Sequence, residues 1–178
     1  MNNIMLDLET MGTDPDAPIM SIGACYFNPL TGEIGETFHE QVRLDSNSGA
    51  LNASTVIWWM KQDDDARSKF FNNDRAPELV DVLKRFSAFV KPRSKVWGNG
   101  AAFDNVILRH GFASRGMMPP WAFWDDMDVR TIVAVGKSLG IDPKRDMPFE
   151  GVKHDALADA IHQAKYVSLI WQTINLLR

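Results

Sequence analysis

The stretch NIMLDLETMG, residues 3–12, predicts a buried strand, and two acidic residues interrupt it. Its apolar side chains are typical of a strand inside a core, whereas Asp7 and Glu9 stand two positions apart. Side chains two apart on a strand point to the same face, so these carboxylates would lie side by side. Such a pair repels and is costly to desolvate. The stretch therefore predicts either a strand end that reaches solvent or a site that needs both acids.

The overall composition favours one globular domain, residues 1–178. A hydrophobic content of 45%, with six Trp and ten Phe, is enough to form a core and argues against disorder. The net charge of −4 disfavours a protein that coats long nucleic acid through a basic surface. An enzyme that holds only a few nucleotides stays open, because bound metal cations can supply positive charge.

Cysteine usage and the lack of long apolar runs in the sequence predict a cytoplasmic protein. Cys25 lies in the apolar run MSIGACYF, so we expect a buried structural thiol and no disulfide framework. The sequence has neither a charged start followed by an apolar segment nor a run of about 18 apolar residues. We therefore expect no contact with a membrane.

Hydrophobic periodicity predicts a mixed α/β domain. The first part predicts an antiparallel meander of three strands, at 3–9, 18–27 and 33–43. The remainder predicts one further short strand, at 94–100, and helices at 53–62, 63–72, 76–90, 101–116, 128–140 and 155–177. We expect Pro77 near the first position of its helix, Asp128 at an N-cap and the acidic run 63–65 at a helix N-terminus.

Three more titratable residues, Asp104, His154 and Asp159, stand at positions that suggest a site. Asp104 falls in the first turn of a helix, after a strand that ends in glycine, where ligands often approach the backbone. Asp159 lies at the flank of an apolar stripe, either solvated or facing a cleft. His154 would point about 140° away from Asp159 on a regular helix, but it can lie over the same site if it belongs to the preceding loop. Each residue alone also has an ordinary structural explanation.

Four carboxylates and one histidine are the groups that two-metal phosphoryl chemistry needs. Mg²⁺ and Mn²⁺ prefer oxygen ligands, and two such ions about 3.5–4 Å apart activate a water and stabilise a leaving 3′-oxygen. They would also neutralise Asp7 and Glu9. A neutral His154 can accept the proton of the water, a contribution of about 10²–10⁴ in rate. The sequence has no competing CxxC, HExxH, GxSxG or Walker-type motif.

The segments DLET (7–10), FD (103–104) and HDALAD (154–159) resemble, in order and spacing, the three motifs of the DEDDh (DnaQ-like) 3′–5′ exonucleases. The resemblance covers about residues 4–170. It implies an RNase H-like fold, in which a five-stranded mixed β-sheet with its first three strands antiparallel is flanked by α-helices. It also implies that His154 is the general base and that divalent metal ions are bound by four carboxylates: Asp7, Glu9, Asp104 and Asp159.

The resemblance further implies a substrate-binding region just after Glu9. Thr10, Met11 and Gly12 are expected to meet the terminal nucleotide, and Phe103 matches the aromatic residue that precedes the second-motif Asp. The family often has His-Asn-Ala-x-Phe-Asp at this motif, whereas residues 99–104 here are NGAAFD. The contribution of that His-Asn pair to substrate contact is therefore not carried over.

Within the family, STVIWWMKQDDDAR, NGAAFDNVIL and DVRTI are most similar to a subgroup of phage-type exodeoxyribonucleases and a bacterial exoribonuclease. Trp58 and Trp59 are candidates for stacking on a base, worth about 1–3 kcal/mol. Adjacent helical residues point about 100° apart, so at most one is expected to stack. The alternative is that both belong to the core. The acids at 125, 126 and 128 are better explained as loop and N-cap residues than as ligands.

The sequence therefore predicts a metal-dependent 3′–5′ exonuclease that uses two Mg²⁺ or Mn²⁺ ions. It would release nucleoside 5′-monophosphates from single-stranded nucleic acid 3′ ends, with DNA slightly preferred. The alternatives are an exoribonuclease acting on RNA 3′ ends, an RNase H-type endonuclease, and a catalytically silent nucleic-acid-binding module. The intact set of five site residues argues against the silent module. A homodimer is left open.

Overall fold

The structure, a computed structural model, describes residues 1–68, 73–100 and 102–177. A five-stranded sheet has the order β3-β2-β1-β4-β5. Its strands are β1 (Asn3–Thr10), β2 (Ile19–Phe27), β3 (Ile34–Gln41), β4 (Lys95–Gly98) and β5 (Asp126–Asp128). The helices are α1 (Ala53–Met60), α2 (Asp64–Ser68), α3 (Leu79–Phe89), α4 (Asp104–Ala113), α5 (Val129–Ser138), α6 (Pro143–Asp146) and α7 (Ala156–Leu176). Within the described ranges, no helix combines the length and apolar character needed to cross a membrane.

Strand β1 is the centre of this sheet. It pairs antiparallel with β2, where Asp7 lies opposite Gly23, and parallel with β4. Strand β2 pairs antiparallel with β3, and β4 pairs parallel with β5. The predicted antiparallel meander and the expected five-stranded mixed sheet are thus confirmed. Strand β5 has only three residues and no alternating pattern, so periodicity alone does not reveal it.

Helices cover both faces of the sheet, and β1 is therefore buried on both sides. Ile4, Leu6 and Leu8 belong to a core formed with α3 and α4, whereas Met5 belongs to a second core formed with α5 and α7. Because side chains alternate along a strand, Asp7 and Glu9 share the α7 face with Met5. Cys25 is fully buried in this second core, as expected for a structural thiol, and burial raises its pKa to about 12.

Two predicted N-terminal caps are confirmed. Asp128 caps α5, because its carboxylate accepts hydrogen bonds from the main-chain N–H groups of Arg130 and Thr131. Asp63, the first of the acidic run, accepts a hydrogen bond from the N–H group of Ala66 at 2.9 Å. These contacts satisfy donors that a helix leaves unpaired at its start.

Three boundaries differ from the sequence prediction. The expectation for Pro77 is wrong: α3 begins at Leu79 with Glu78 at the N-cap, so the proline precedes the helix. Helix α6 lies where the sequence predicts a loop, and it begins with a proline, a residue favoured at the first helical position. The predicted helix 63–72 is observed as α2; positions 69–72 lie outside the described residues, as does Ala101 of the predicted helix 101–116.

The first turn of α7 rests directly on β2. Gly23 makes this possible, because a Cβ atom at that position would lie only 2.1 Å from the carbonyl carbon of Ala156. Asp155 caps the helix by accepting a hydrogen bond from the N–H group of Ala158 at 3.0 Å. The Nε2 atom of His39 on β3 lies 3.6 Å from Oδ2 of Asp155. These contacts fix the start of α7 beside the strand that carries Asp7.

Candidate active site

Four carboxylates from three elements come together near the end of β1. Asp7 and Glu9 lie on β1, Asp104 is the first residue of α4, and Asp159 lies in the first turn of α7. The negative charges of Asp104, Glu9 and Asp159 each contribute to raising the pKa of Asp7. The structure therefore brings together the four acids that the sequence singles out.

Asp104 is held by main-chain donors. It is 2% exposed, and its carboxylate accepts hydrogen bonds from the N–H group of Leu8 at 3.2 Å and that of Asn99 at 2.9 Å. Gly98 leaves the necessary room, because a Cβ atom there would lie 2.3 Å from Oδ1 of Asn105 and 3.1 Å from Cβ of Asp104. Burial raises the pKa of Asp104 to about 7, and the hydrogen bonds oppose this rise.

Asp7 experiences both burial and repulsion. Burial is the main cause that raises its pKa well above the usual range, and the charges of its acidic neighbours add to the effect. The side-chain amide of Gln163 opposes it by donating a hydrogen bond to Oδ1 of Asp7 at 2.7 Å. The ionised carboxylate is therefore disfavoured without a further positive charge. A divalent cation fits this arrangement, because clustered carboxylate oxygens are the ligands that Mg²⁺ and Mn²⁺ prefer.

Glu9, His154 and Asp159 form a candidate cation site. Each offers one ligand atom, and these atoms lie within 4.8 Å of one another. His154 lies in the loop before α7, in agreement with the prediction, and has a φ of 62°, which is uncommon for a residue other than glycine. Its ring contacts the ring of Trp58 edge-on, with 4.9 Å between the centroids. His154 thus lies beside the acids and beside an aromatic surface.

A groove of about 510 Å³ opens next to these residues. It is lined by Glu9 and by all but one of the residues expected to bind substrate, namely Thr10, Gly12, Trp58, Trp59 and Phe103. Met11 is the exception. Its side chain is 5% exposed, and its N–H and C=O groups pair with Pro18 and Asn52. Met11 therefore packs in the core beside the groove, and its contact with the nucleotide stays a prediction.

The two adjacent tryptophans have different environments. Trp59 is 4% exposed, and its Nε1 atom donates a hydrogen bond to the carbonyl oxygen of Thr10 at 3.0 Å. Trp58 is 42% exposed and packs edge-on against Trp59, with 5.0 Å between the ring centroids. The alternative that both belong to the core is wrong for Trp58. This difference agrees with the prediction that at most one of the two is free to stack on a base.

The acids of the α4–β5 region have structural partners. Asp126 lies in β5 instead of a loop, and it accepts hydrogen bonds from the side chains of Asn105, Arg109 and Trp121. Asp128 is the N-cap described above. These contacts agree with the interpretation that the two acids are not metal ligands.

Gln163 is a residue of the site that sequence reasoning missed. Its position four residues after Asp159 places it on the same face of α7. A polar residue on the same helical face as Asp159 is a signal that the sequence offers. The sequence alone does not show that the partner of Gln163 is Asp7, 156 positions away.

The fold and the site agree with a match to a protein family. A family model described as the 3′–5′ exoribonuclease Rv2179c-like domain matches residues 2–171. The chain belongs to this family. It is accordingly a 3′–5′ exonuclease of the DEDDh type, as the resemblance implies, and the alternative of a silent binding module is not supported.

Known proteins similar to this chain include a phage enzyme and solved nuclease structures. An exodeoxyribonuclease of Enterobacteria phage T4 is 26% identical over 160 residues, covering 74% of this chain and 70% of that protein. The nuclease domain of 3′hExo, a DEDDh family member bound to rAMP, matches with a TM-score of 0.67 and 18% identity, covering 96% of this chain and 92% of that one. The zinc-bound ExoI–ssDNA complex of E. coli matches with a TM-score of 0.71 and 20% identity, covering 94% and 40%. These structures confirm the RNase H-like fold.

Proposed function

We propose that this exonuclease releases nucleoside 5′-monophosphates from single-stranded 3′ ends at the site formed by Asp7, Glu9, Asp104, His154 and Asp159. The observation that carries the proposal is the convergence of four carboxylates and a histidine beside an open groove. Family membership supports the direction of cleavage. The identity of the residues that act is our inference from the geometry.

The four carboxylates would hold two divalent ions, Mg²⁺ or Mn²⁺, which activate a water and stabilise the leaving 3′-oxygen. Asp104 is suited to this role because two main-chain N–H groups fix its orientation. Asp7 and Glu9 are fixed by the rigid central strand that carries them. The clustering of negative charge makes cation binding favourable and explains why acids are tolerated in a buried strand.

His154 is the proposed general base. It would accept a proton from the water that attacks the scissile phosphorus, while the bond from phosphorus to the 3′-oxygen breaks and this oxygen takes up a proton from solvent. The products are a nucleoside 5′-monophosphate and a chain shorter by one nucleotide with a new 3′-hydroxyl group. The ring of His154 is suitably placed because it lies within reach of Glu9 and Asp159 and is braced by Trp58.

The groove is the proposed binding region for the terminal nucleotides. Trp58 presents an exposed ring to it, and a base stacked on such a ring gains about 1–3 kcal/mol. Phe103 and Thr10 line the same groove. Stacking does not depend on base identity, so we expect little sequence preference.

DNA and RNA each have support as the preferred substrate. The sequence prediction favours DNA slightly, and the T4 relative is an exodeoxyribonuclease. The family description names an exoribonuclease, which favours RNA as the second candidate. Digestion of matched DNA and RNA strands, single and double, by one preparation decides between them through the ratio of initial rates.

Activity is tested with a 5′-labelled oligonucleotide in Mg²⁺ or Mn²⁺. We expect a ladder of progressively shorter products that EDTA abolishes. Products that begin from the 5′ end, or cleavage of a circular strand, would contradict the proposal, because an exonuclease needs an end. Sedimentation of the same preparation tests the homodimer, and fractionation of the source cells tests the cytoplasmic location; both stay predictions.

A further inference from the structure

The amide of Gln163 contacts the candidate site from inside the protein. Gln163 is 4% exposed, and its Nε2 atom donates a hydrogen bond to Oδ1 of Asp7 at 2.7 Å. It belongs to the same helical face as Asp159, one turn further along α7. The two residues thus approach the central strand from one rigid element.

The stability of the fold does not explain a glutamine at this position. Several neighbours along the buried face of α7 are apolar, among them Ala160, Ala164 and Val167. Its carbonyl oxygen Oε1 is buried and has no hydrogen-bond partner among residues 1–68, 73–100 and 102–177. A buried acceptor without a partner is costly, so an apolar side chain of equal length would suit the core at least as well.

We propose that Gln163 is a positioning residue that orients the Asp7 carboxylate for cation binding. By holding Oδ1, the amide restrains rotation of the carboxylate and leaves the second oxygen for the ion. It is a neutral donor, so it stabilises the ionised carboxylate without adding a charge that would compete with the cation. This inference rests on the proposed role of Asp7 as a metal ligand.

The expected effect is a loss of metal affinity. Partners that orient a metal ligand typically change affinity or activity by about 10–100-fold when they are removed. Gln163→Met keeps the length of the side chain and removes the donor. We therefore expect the dissociation constant for Mn²⁺, measured by calorimetry without substrate, to rise about 10–100-fold.

Gln172→Met is the matched control. It makes the same chemical change on the same helix, at a partly exposed position beside Gly32. We expect this control to bind Mn²⁺ like the wild type. Both variants should unfold in urea at the same midpoint, and their KM for oligonucleotide should be equal. The turnover of Gln163→Met at low Mn²⁺ should fall and recover when excess Mn²⁺ is added.

A double-mutant cycle tests whether Gln163 acts through Asp7. In an Asp7→Asn background, Gln163→Met should cause no further loss of Mn²⁺ affinity, because the two changes affect one interaction. If Gln163→Met does not fold, Gln163→Asn serves instead, since it keeps the amide and shortens its reach; it should weaken Mn²⁺ binding in the same direction.

The outcomes separate this inference from the proposed function. If the wild type degrades oligonucleotides and Gln163→Met binds Mn²⁺ as tightly as Gln172→Met, positioning by Gln163 is overturned and the function stands. If the wild type shows no nuclease activity but binds Mn²⁺, the comparison of dissociation constants still decides the role of Gln163. If the wild type neither degrades nor binds Mn²⁺, both proposals fail.

Discussion

Two acids of the sheet, Asp126 on β5 and Asp7 on β1, differ in the groups that compensate their negative charge. Asp126 accepts hydrogen bonds from three side chains of the protein, one of them the cation Arg109 at 3.0 Å. Within the described part of the chain, Asp7 accepts a side-chain hydrogen bond from the neutral amide of Gln163 and is repelled by three other carboxylates. A carboxylate that the protein neutralises itself serves the fold. A carboxylate kept among like charges is suited to a cation from outside the chain.

Asp7→Asn should give the largest effect in this comparison. We expect the exonuclease rate to fall by about 10³-fold or more, because the charge that attracts the cation is lost. The metal-free protein should become more stable by about 1 kcal/mol, since one source of repulsion is removed. Initial rates and urea unfolding measure the two quantities. A variant that loses activity because it is unfolded would not support this explanation.

The stability of the metal-free protein should fall as the pH rises. The pKa of Asp104 is about 7 when folded, against a model-peptide value of 3.8, so the folded state binds more protons between these values. Stability from this group is therefore fully present below about pH 4 and is lost towards pH 7, by on the order of 4 kcal/mol. Urea unfolding in EDTA across this range measures the slope.

Two controls sharpen the pH experiment. Asp104→Asn has no titrating group at this position, so its slope should be smaller. Added Mn²⁺ should also reduce the slope, because it favours the ionised carboxylates. An Asp104→Asn slope equal to that of the wild type would show that other groups cause the dependence.

Gly23→Ala should lower both activity and stability, although Gly23 is not a residue of the candidate site. The added Cβ would collide with the main chain of α7, so the helix must move away from β2. A displacement of about 1 Å at reacting groups costs about 10²-fold in rate, and the strain should cost about 1–3 kcal/mol of stability. Gly111→Ala is the control, because the nearest described atom to its Cβ would be Cδ1 of the Ile19 side chain, at 3.3 Å. Equal losses in both variants would argue against close packing at Gly23.

Asp126→Asn should have the smallest effect on activity. In contrast to Asp7→Asn, it should lower the stability of the protein. We expect a loss of about 2 kcal/mol in the free energy of unfolding, because the Arg109 cation loses its counter-charge. The rate of oligonucleotide degradation per folded molecule should equal that of the wild type. A large loss of activity with unchanged stability would place Asp126 in the site and end the contrast with Asp7.

Sequence patterns predict the regular part of the fold and the identity of the acids. The first three strands follow from hydrophobic patterning and turn residues, and the resemblance to the DEDDh motifs singles out the five motif residues. Strand β5 is too short to show a period, and its stability depends on pairing with β4. Pro77 is compatible with either side of a helix start, so its exact place depends on the tertiary contacts of α3.

Side-chain environments are the part that local sequence does not determine. Trp58 and Trp59 are neighbours of the same type, and only their contacts across the fold distinguish the buried ring from the exposed one. The role of Gln163 follows from its contact with Asp7, which lies 156 positions away in the sequence. Met11 follows the DLET segment directly, yet its groups are occupied by the core.

The distance along the chain between β1 and α7 determines when all residues of the proposed site are present during synthesis. Gln163 and Asp7 are separated by 156 positions, and ribosomes build proteins from the N-terminus. The acids of β1 therefore emerge long before Asp159 and His154 have been translated. If Asp159 and His154 act as proposed, a nascent chain lacks part of the site until α7 has been made and has docked on β2 at Gly23. The topology thus makes α7 the last element that the proposed site requires during synthesis.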